Sequence, residues 1–436
     1  MMSARSGAWG VAVMLLLTGC GPKPIDPRRQ VGPEPYLPPI HQYLLPPMHV
    51  AKIVGWNGAT PTAAAGLKVQ AFATGLAGPR SVYVLPNGDV LVVESGGPPP
   101  PSPSRPKDIV MNWVEKMSHS HAKPGQRILL FRDTNGDGLP DDKTVFIDHL
   151  KSPFGVVLVG SDLYVANTDA VVRYPYTTGE TRITAAGTKL CDLPGGPIDH
   201  HWTKSLTASP DGTKLYAGVG SNSNITENGL QAELGRASVW EIDRATGSHR
   251  EYATGLRNPN GLQFEPQTQR LWVVVNERDE LGPDLVPDYL TSVKDGGFYG
   301  WPYSYYGQHT DPRVKPERPD LVSQAIVPDY ALSSHVAPLG LVFYTGTNLP
   351  AHYRGGAFVG EHGSWNRTTL NGYKVVYVPF QNGHPVGAAE DVVTGFLVDG
   401  DKARGRPVGL AMDSQGGLLI ADDAGNSVWR VSAASP

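Results

Sequence analysis

Pro79-Arg80-Ser81-Val82-Tyr83-Val84-Leu85-Pro86-Asn87-Gly88-Asp89-Val90-Leu91-Val92-Val93 reads as a proline entry, a short apolar strand, a Pro-Asn-Gly-Asp turn and a second apolar strand. A close copy, Pro407-Val408-Gly409-Leu410-Ala411-Met412-Asp413-Ser414-Gln415-Gly416-Gly417-Leu418-Leu419-Ile420, stands near the other end of the chain. Weaker copies start at Pro153-Phe154-Gly155, Lys204-Ser205-Leu206, Pro259-Asn260-Gly261 and Pro338-Leu339-Gly340. The six starts, at 79, 153, 205, 259, 338 and 407, are separated by 74, 52, 54, 79 and 69 residues. A unit of that length holds four strands and their loops. The repetition therefore predicts an all-β, six-bladed β-propeller with four-stranded antiparallel blades. Such a fold gathers loops from every blade at one end of a central channel, so residues remote in sequence can share one pocket.

The composition fits this reading. The 51 glycines and 40 prolines supply many turns, and 40% hydrophobic content over 436 residues is enough for a sizeable core. With 37 basic and 41 acidic residues the net charge is −4, which gives no polybasic reason to expect nucleic acid. No long apolar stretch follows the N-terminus, so no internal membrane span is expected.

Arg5, the apolar run Trp9 to Leu17 and then Leu17-Thr18-Gly19-Cys20 describe a secretory signal over residues 1–19. Leu-Thr-Gly-Cys resembles a bacterial lipobox, which makes Cys20 the expected site of lipidation. Gly21 after it points to sorting toward the outer membrane, and the expected location is periplasmic and lipid-anchored. Residues 20–64 are rich in proline and are expected to form an extended tether and wrap. The propeller is expected to fill residues 65–436, with its first and last segments joined in one blade. Cys191 is the remaining thiol and reads as a small buried residue. Two long interruptions stand out. Pro98 to Gly125, with His119 and His121, reads as a rim loop. Glu280 to Tyr306, rich in aromatics and glycine, reads as packing over the channel mouth.

Four segments carry residues suited to chemistry. His200-His201-Trp202-Thr203-Lys204 precedes a strand, where a neutral imidazole could take a proton from a hydroxyl. Arg257-Asn258-Pro259 sits at the equivalent place one blade later, and its guanidinium offers a planar fork to carboxylate or quinone oxygens. Asn276-Glu277-Arg278-Asp279-Glu280 follows a strand and is rich in oxygen, as a hard cation requires. Arg404-Gly405-Arg406-Pro407 places two cations at a strand entry. Taken singly, each also fits an ordinary structural role: a packed histidine, an arginine on turn carbonyls, a solvated acidic loop.

Together these segments carry a resemblance. Arg257-Asn258-Pro259-Asn260-Gly261-Leu262, a strand, an acidic loop and Gly296-Gly297-Phe298-Tyr299-Gly300-Trp301-Pro302 resemble the soluble glucose and aldose sugar dehydrogenases that use pyrroloquinoline quinone (PQQ). His201-Trp202-Thr203 and Gly363-Ser364-Trp365-Asn366-Arg367 are similar to the sorbosone dehydrogenase branch. The resemblance runs from about Gly75 to Val431. It implies oxidation of an aldose sugar or sugar aldehyde by hydride transfer to PQQ, with electrons passed on to a cytochrome or the quinone pool. It further implies His201 as general base, Arg257 as catalytic and cofactor-binding, and Asn258, Arg404 and Arg406 as cofactor-binding. A bridging calcium would take the backbone carbonyls of Glu277 and Arg278. The family's cofactor-binding Gln has no counterpart in His149-Leu150-Lys151-Ser152-Pro153-Phe154-Gly155, and its Lys is replaced in the penultimate blade, where Arg367 could substitute. Trp202, Trp301, Tyr303, Tyr305 and Tyr306 could stack against a sugar.

A separate stretch, Asp133-Thr134-Asn135-Gly136-Asp137-Gly138-Leu139-Pro140-Asp141, offers Asp133, Asn135, Asp137 and Asp141 at calcium-loop spacing, although Thr144 stands where the closing Glu is expected. A polar hairpin turn is the plain alternative. Two other functions fit a propeller. One is a calcium-dependent lactonase or esterase, with Glu94, Asn167, Asn222 and Asp422 as ligands. The other is a non-catalytic binding scaffold.

Overall fold

The computed structural model describes residues 25–43, 48–99, 102–103 and 124–434. The signal segment, Cys20, His119 and His121 lie outside the described residues. Six sheets of four or five strands dominate, with three smaller two- or three-stranded sheets beside them. The first sheet runs Pro79–Val84, Val90–Glu94, Arg127–Arg132, Asp142–Ile147. The second runs Gly155–Val159, Asp162–Ala166, Ala170–Pro175, Thr188–Asp192. The third runs Leu206–Ala208, Lys214–Val219, Ser238–Asp243, His249–Thr254. The fourth runs Pro259–Phe264, Leu271–Val275, Pro287–Ser292, Tyr330–Ser334. The fifth runs Pro338–Phe343, Ala357–Glu361, Lys374–Val378, Glu390–Thr394. The sixth runs Pro407–Met412, Leu418–Asp422, Ser427–Ala433 and ends on Leu67–Ala73, antiparallel to Ser427–Ala433. Chain ends thus close one sheet, as expected.

The circuit closes through the core. Six apolar clusters each span two successive sheets: Leu91 with Leu163, Tyr164 with Leu215, Val239 with Val273, Trp272 with Val359, Phe358 with Trp429, and Leu419 with Val92. A sheet covered on both faces needs apolar residues on both, which is why Val90–Val93 and Leu271–Val275 read as unbroken runs. The glycine of the repeated motif marks the axis, where neighbouring first strands approach most closely. A Cβ on Gly340 would lie 2.1 Å from the Val408 carbonyl oxygen, and one on Gly409 would lie 2.8 Å from Ser81 Cα.

The proline-rich segment is laid against this body rather than hanging from it. Val31–Gly32 pairs with Tyr330–Ser334, Lys52–Ile53 pairs with Lys402–Ala403, and Thr62–Ala63 extends the fifth sheet. The buried Gln30 side chain donates to the Asp284 carbonyl and accepts from Ser334. Trp56 donates its indole N–H to the buried Asp422 at 2.6 Å. Prolines stiffen such a segment, and side-chain anchors then fix it at discrete points. The described part of this segment is a strap across the fourth, fifth and sixth sheets.

Candidate functional site

In each sheet the start of the first strand lies opposite the end of the second: Pro79 faces Glu94, Pro259 faces Val275, Pro338 faces Glu361 and Pro407 faces Asp422. His201, Arg257, Asn258, Arg404 and Arg406 all precede first strands, so the antiparallel register puts them at one end of the circuit.

His201, Arg257 and Asn258 come together. A Cβ on Gly220 would stand 2.4 Å from Asn258 Oδ1 and 2.5 Å from His201 Cβ, and the Ser221 N–H donates to the Arg257 carbonyl at 2.8 Å. His201 Nδ1 lies 2.7 Å from the Ser221 carbonyl, which can only accept, so Nδ1 carries the hydrogen and Nε2 keeps its lone pair. Burial, and then the Arg257 charge, hold this imidazole well below its ordinary pKa, and it is neutral at pH 7. The loop that carries it is clamped from behind. Lys204 Nζ, fully buried, reaches the Trp202 and His201 carbonyls at 3.1 and 3.4 Å and Asp199 at 3.5 Å. Arg236 pairs with the same Asp199 at 3.0 Å. Burial lowers the Lys204 pKa to about 8, against the pull of Asp199.

Arg257 is held by three backbone carbonyls: Asn224 (3.2 Å), Asn276 (3.3 Å) and Glu277 (2.7 Å). Asn258 donates to Asn276 Oδ1 at 3.2 Å, while its own Oδ1 is buried without a hydrogen-bond partner. Behind Arg257 stand Asp279, His335 and Asn366, with His335 Nδ1 3.3 Å from Asp279 and Asn366 donating to Asp279 at 2.5 Å. Burial works against the Asp279 charge, but His335 and Arg257 hold its carboxyl at about 2.

Arg406 lies on a second arc. It donates to the His362 and Gly363 carbonyls at 2.9 and 2.8 Å. His362 Nε2 faces Asp423 at 3.0 Å, and Asp423 is also paired with Arg80. Arg80 stacks 5.3 Å over the Trp202 ring, which joins this arc to the His201 loop. Burial, then Arg406, push His362 down to about 3, so it too is neutral. Arg404 is half-buried, and its guanidinium has no partner among the described residues.

Other expected residues are placed differently. Arg367 is buried in an ion pair with Asp284 at 2.5 Å and donates to the Ser334 carbonyl at 3.2 Å, which makes it an anchor for the strap. Arg278 is buried against Asp311. The Glu277 carbonyl expected to bind calcium already takes the Arg257 guanidinium. Among the described residues no group of three or more His, Cys, Asp or Glu converges on a point. These atoms as arranged do not fit a cation. In the Asp133 loop, Asp133 accepts from Gly136 and Gly138, Asn135 from Asp137, Asp137 from Leu139, and Asp141 from Thr134 and Asn135. Its oxygens serve the loop's own donors, as in the plain turn. Three members of the ligand ring of the hydrolase reading, Glu94, Asn167 and Asp422, are likewise committed, whereas Asn222 Oδ1 is buried without a hydrogen-bond partner. Asn167 accepts from the Lys151 N–H. Glu94 accepts from Ala77 and Arg127, and Asp422 accepts from Trp56, Trp429, Arg406 and Gly425. Trp301, Tyr305 and Tyr306 are buried in packing, whereas Trp202 and Tyr303 are half-buried. Cys191 is buried as expected.

Arg80, His335, His362 and Asp423 were not singled out from the sequence. The available signal was positional: each stands at the start of a first strand or the end of a second, as His201 and Arg257 do. Beside the His201 loop a cleft of about 380 Å3 opens, lined among others by Lys151, Thr168, Asp169, Asp192 and Asp199.

This fold is shared with solved sugar dehydrogenases. The holo PQQ domain of pyranose dehydrogenase from Coprinopsis cinerea superposes with a TM-score of 0.69 at 20% identity, covering 87% of this chain and all of that one. The resemblance to PQQ-dependent sugar dehydrogenases read from the motifs therefore extends to the fold. Residues 75–365 match the family described as "Domain of unknown function (DUF7133)", and the chain belongs to that family. Residues 319–434 match a family described as TrAA12-like. An uncharacterized protein of Borreliella burgdorferi is 27% identical over 295 residues, covering 65% of this chain and 76% of its own. The PQQ-dependent pyranose dehydrogenase of Coprinopsis cinerea is 23% identical over 360 residues, covering 72% of this chain and 44% of its own, so this chain spans less than half of that protein.

Proposed function

We propose that this protein is a PQQ-dependent dehydrogenase oxidising an aldose sugar or sugar aldehyde, sorbosone-like in class, on six blades formed by the six sheets. The observation that carries the reading is His201: a neutral imidazole whose Nδ1–H is committed to Ser221, leaving Nε2 as a base beside Arg257 and Asn258. The residues fit a flat, anionic quinone. Asn258 Oδ1 and Arg80 Nε are buried without hydrogen-bond partners, and Arg404 offers a guanidinium with no partner among the described residues. When bound, PQQ supplies the hydride-accepting carbonyl that no side chain possesses.

His201 takes the proton of the hydroxyl undergoing oxidation. Arg257, fixed by three carbonyls, needs no reorganisation to offset negative charge as it develops. Arg404 and Arg406 would hold the carboxylates of PQQ, and Asn258 Oδ1, an acceptor, would take an N–H donor of the group. No step is assigned to calcium, because the Glu277 carbonyl is held by Arg257. The location is proposed to be periplasmic with lipid on Cys20, and the electron acceptor a cytochrome or quinone.

The test is reconstitution of the purified domain with PQQ and a dye-reduction assay across aldoses and sorbosone. His201→Ala should keep cofactor affinity within a few-fold and lose roughly 10²–10⁴ in turnover, the span usual for a general base. Turnover close to wild type in that variant overturns the assignment.

A further inference from the structure

We propose that the end of the molecule carrying the strap and the candidate site is a membrane-docking face that rests on the phospholipid bilayer. The proposal rests on the lipobox reading of Leu17–Cys20 for the anchor and is independent of the cofactor. The strap begins at this end, where the Ile25 N–H donates to Asp284 at 3.3 Å and Asp284 in turn pairs with Arg367. Further along, His41 donates to the Leu281 carbonyl and His49 to the Trp365 carbonyl, both on loops that follow second strands. Four residues lie between Cys20 and Ile25, which makes five Cα–Cα steps. At ~3.6 Å per extended residue they reach roughly 18 Å at most, less than the width of the domain. A lipid on Cys20 therefore brings this end of the circuit to the bilayer.

The surface at this end matches a bilayer boundary. Among the described residues seven large hydrophobic side chains are exposed, and five of them are here: Tyr36, Ile40 and Met48 on the strap, and Leu230 and Leu234. Leu230 and Leu234 lie in the segment between Lys214–Val219 and Ser238–Asp243, the same segment whose Asn224 carbonyl holds Arg257. Leu234 is 67% exposed. The strap adds Arg29, which lies 4.4 Å over the Tyr36 ring, and Arg28, which is exposed and paired with Asp26 at 2.6 Å. Cations beside an aromatic and aliphatic side chains suit the headgroup region of an anionic bilayer. Scattered exposed hydrophobics are ordinary, but their concentration on the anchored end is what an interfacial surface requires.

The experiment uses the mature, lipidated chain with Cys191→Ala, reconstituted in vesicles of phosphatidylethanolamine and phosphatidylglycerol. Single cysteines carry an environment-sensitive dye at Leu234→Cys, at Ile40→Cys or, as a control, at Val386→Cys. Val386 is exposed in the loop beyond Lys374–Val378, at the opposite end of the sheets. Nitroxide-labelled lipid should quench the first two dyes several-fold more than the third. Equal quenching at all three positions, stronger quenching at Val386, or none at any position overturns the proposal. A face covered by a protein partner instead of lipid would give the last of these. The mass of the N-terminal peptide checks the anchor separately, so failure of the lipobox reading is distinguishable from failure of the docking face. Neither readout depends on dehydrogenase activity.

Discussion

Lys204→Met tests the clamp behind His201. Lys204 is fully buried, and burial brings its pKa from 10.5 to about 8. In the unfolded chain the amine keeps its proton up to about pH 10.4. The unfolded state therefore binds more protons than the folded state between the two values, and stability attributable to this residue rises with pH there. Integrating that linkage from pH 7 to pH 9.5 at about 1.36 kcal/mol per pKa unit gives a gain of ~2 kcal/mol for the wild type. The methionine variant lacks this titration but shares all the others, so the difference in unfolding free energy between the two proteins isolates it. At pH 7 the variant loses the hydrogen bonds to the His201 and Trp202 carbonyls but leaves Asp199 paired with Arg236 and Thr168. The expected cost there is about 1–3 kcal/mol, below that of a fully orphaned charge. Urea denaturation of both proteins at several pH values measures the gap. A gap that stays flat or narrows toward pH 9.5 refutes a buried, desolvated Lys204.

Gly220→Ala should drive a methyl group into the space between His201 and Asn258, costing about 1–3 kcal/mol in stability. Turnover should fall by more than that loss of folded protein explains, as thermal unfolding and dye reduction measured together would show. Trp56→Phe removes one of four N–H donors from the buried Asp422 and should destabilise the protein by ~1–3 kcal/mol, read by urea denaturation. An unchanged midpoint would mean that the strap contributes nothing at this point. Arg367→Leu should weaken the strap by leaving Asp284 without its cation, seen as faster proteolysis N-terminal to Leu67, while PQQ affinity stays within a few-fold. A large loss of affinity would return Arg367 to the cofactor site.

The sequence by itself determined the period of the fold and the entry point of each sheet. Five of the six first strands start within a residue of the position read from Pro79, Lys204-Ser205, Pro259, Pro338 and Pro407, and the sixth starts two residues after Pro153. This was legible because a turn, a strand entry and an axial glycine are local requirements. The sequence also picked out His201, Arg257 and Asn258, since each stands at the same place in its repeat. Only the tertiary structure decided what those residues touch. That Arg257 occupies the Glu277 carbonyl, that Arg367 holds Asp284, and that His362 meets Asp423 across two sheets are long-range pairings, which no local pattern encodes. The proline-rich segment shows the same division. Its composition predicts stiffness, but Gln30 and Trp56 become anchors only where folding has placed Asp284, Ser334 and Asp422 within reach.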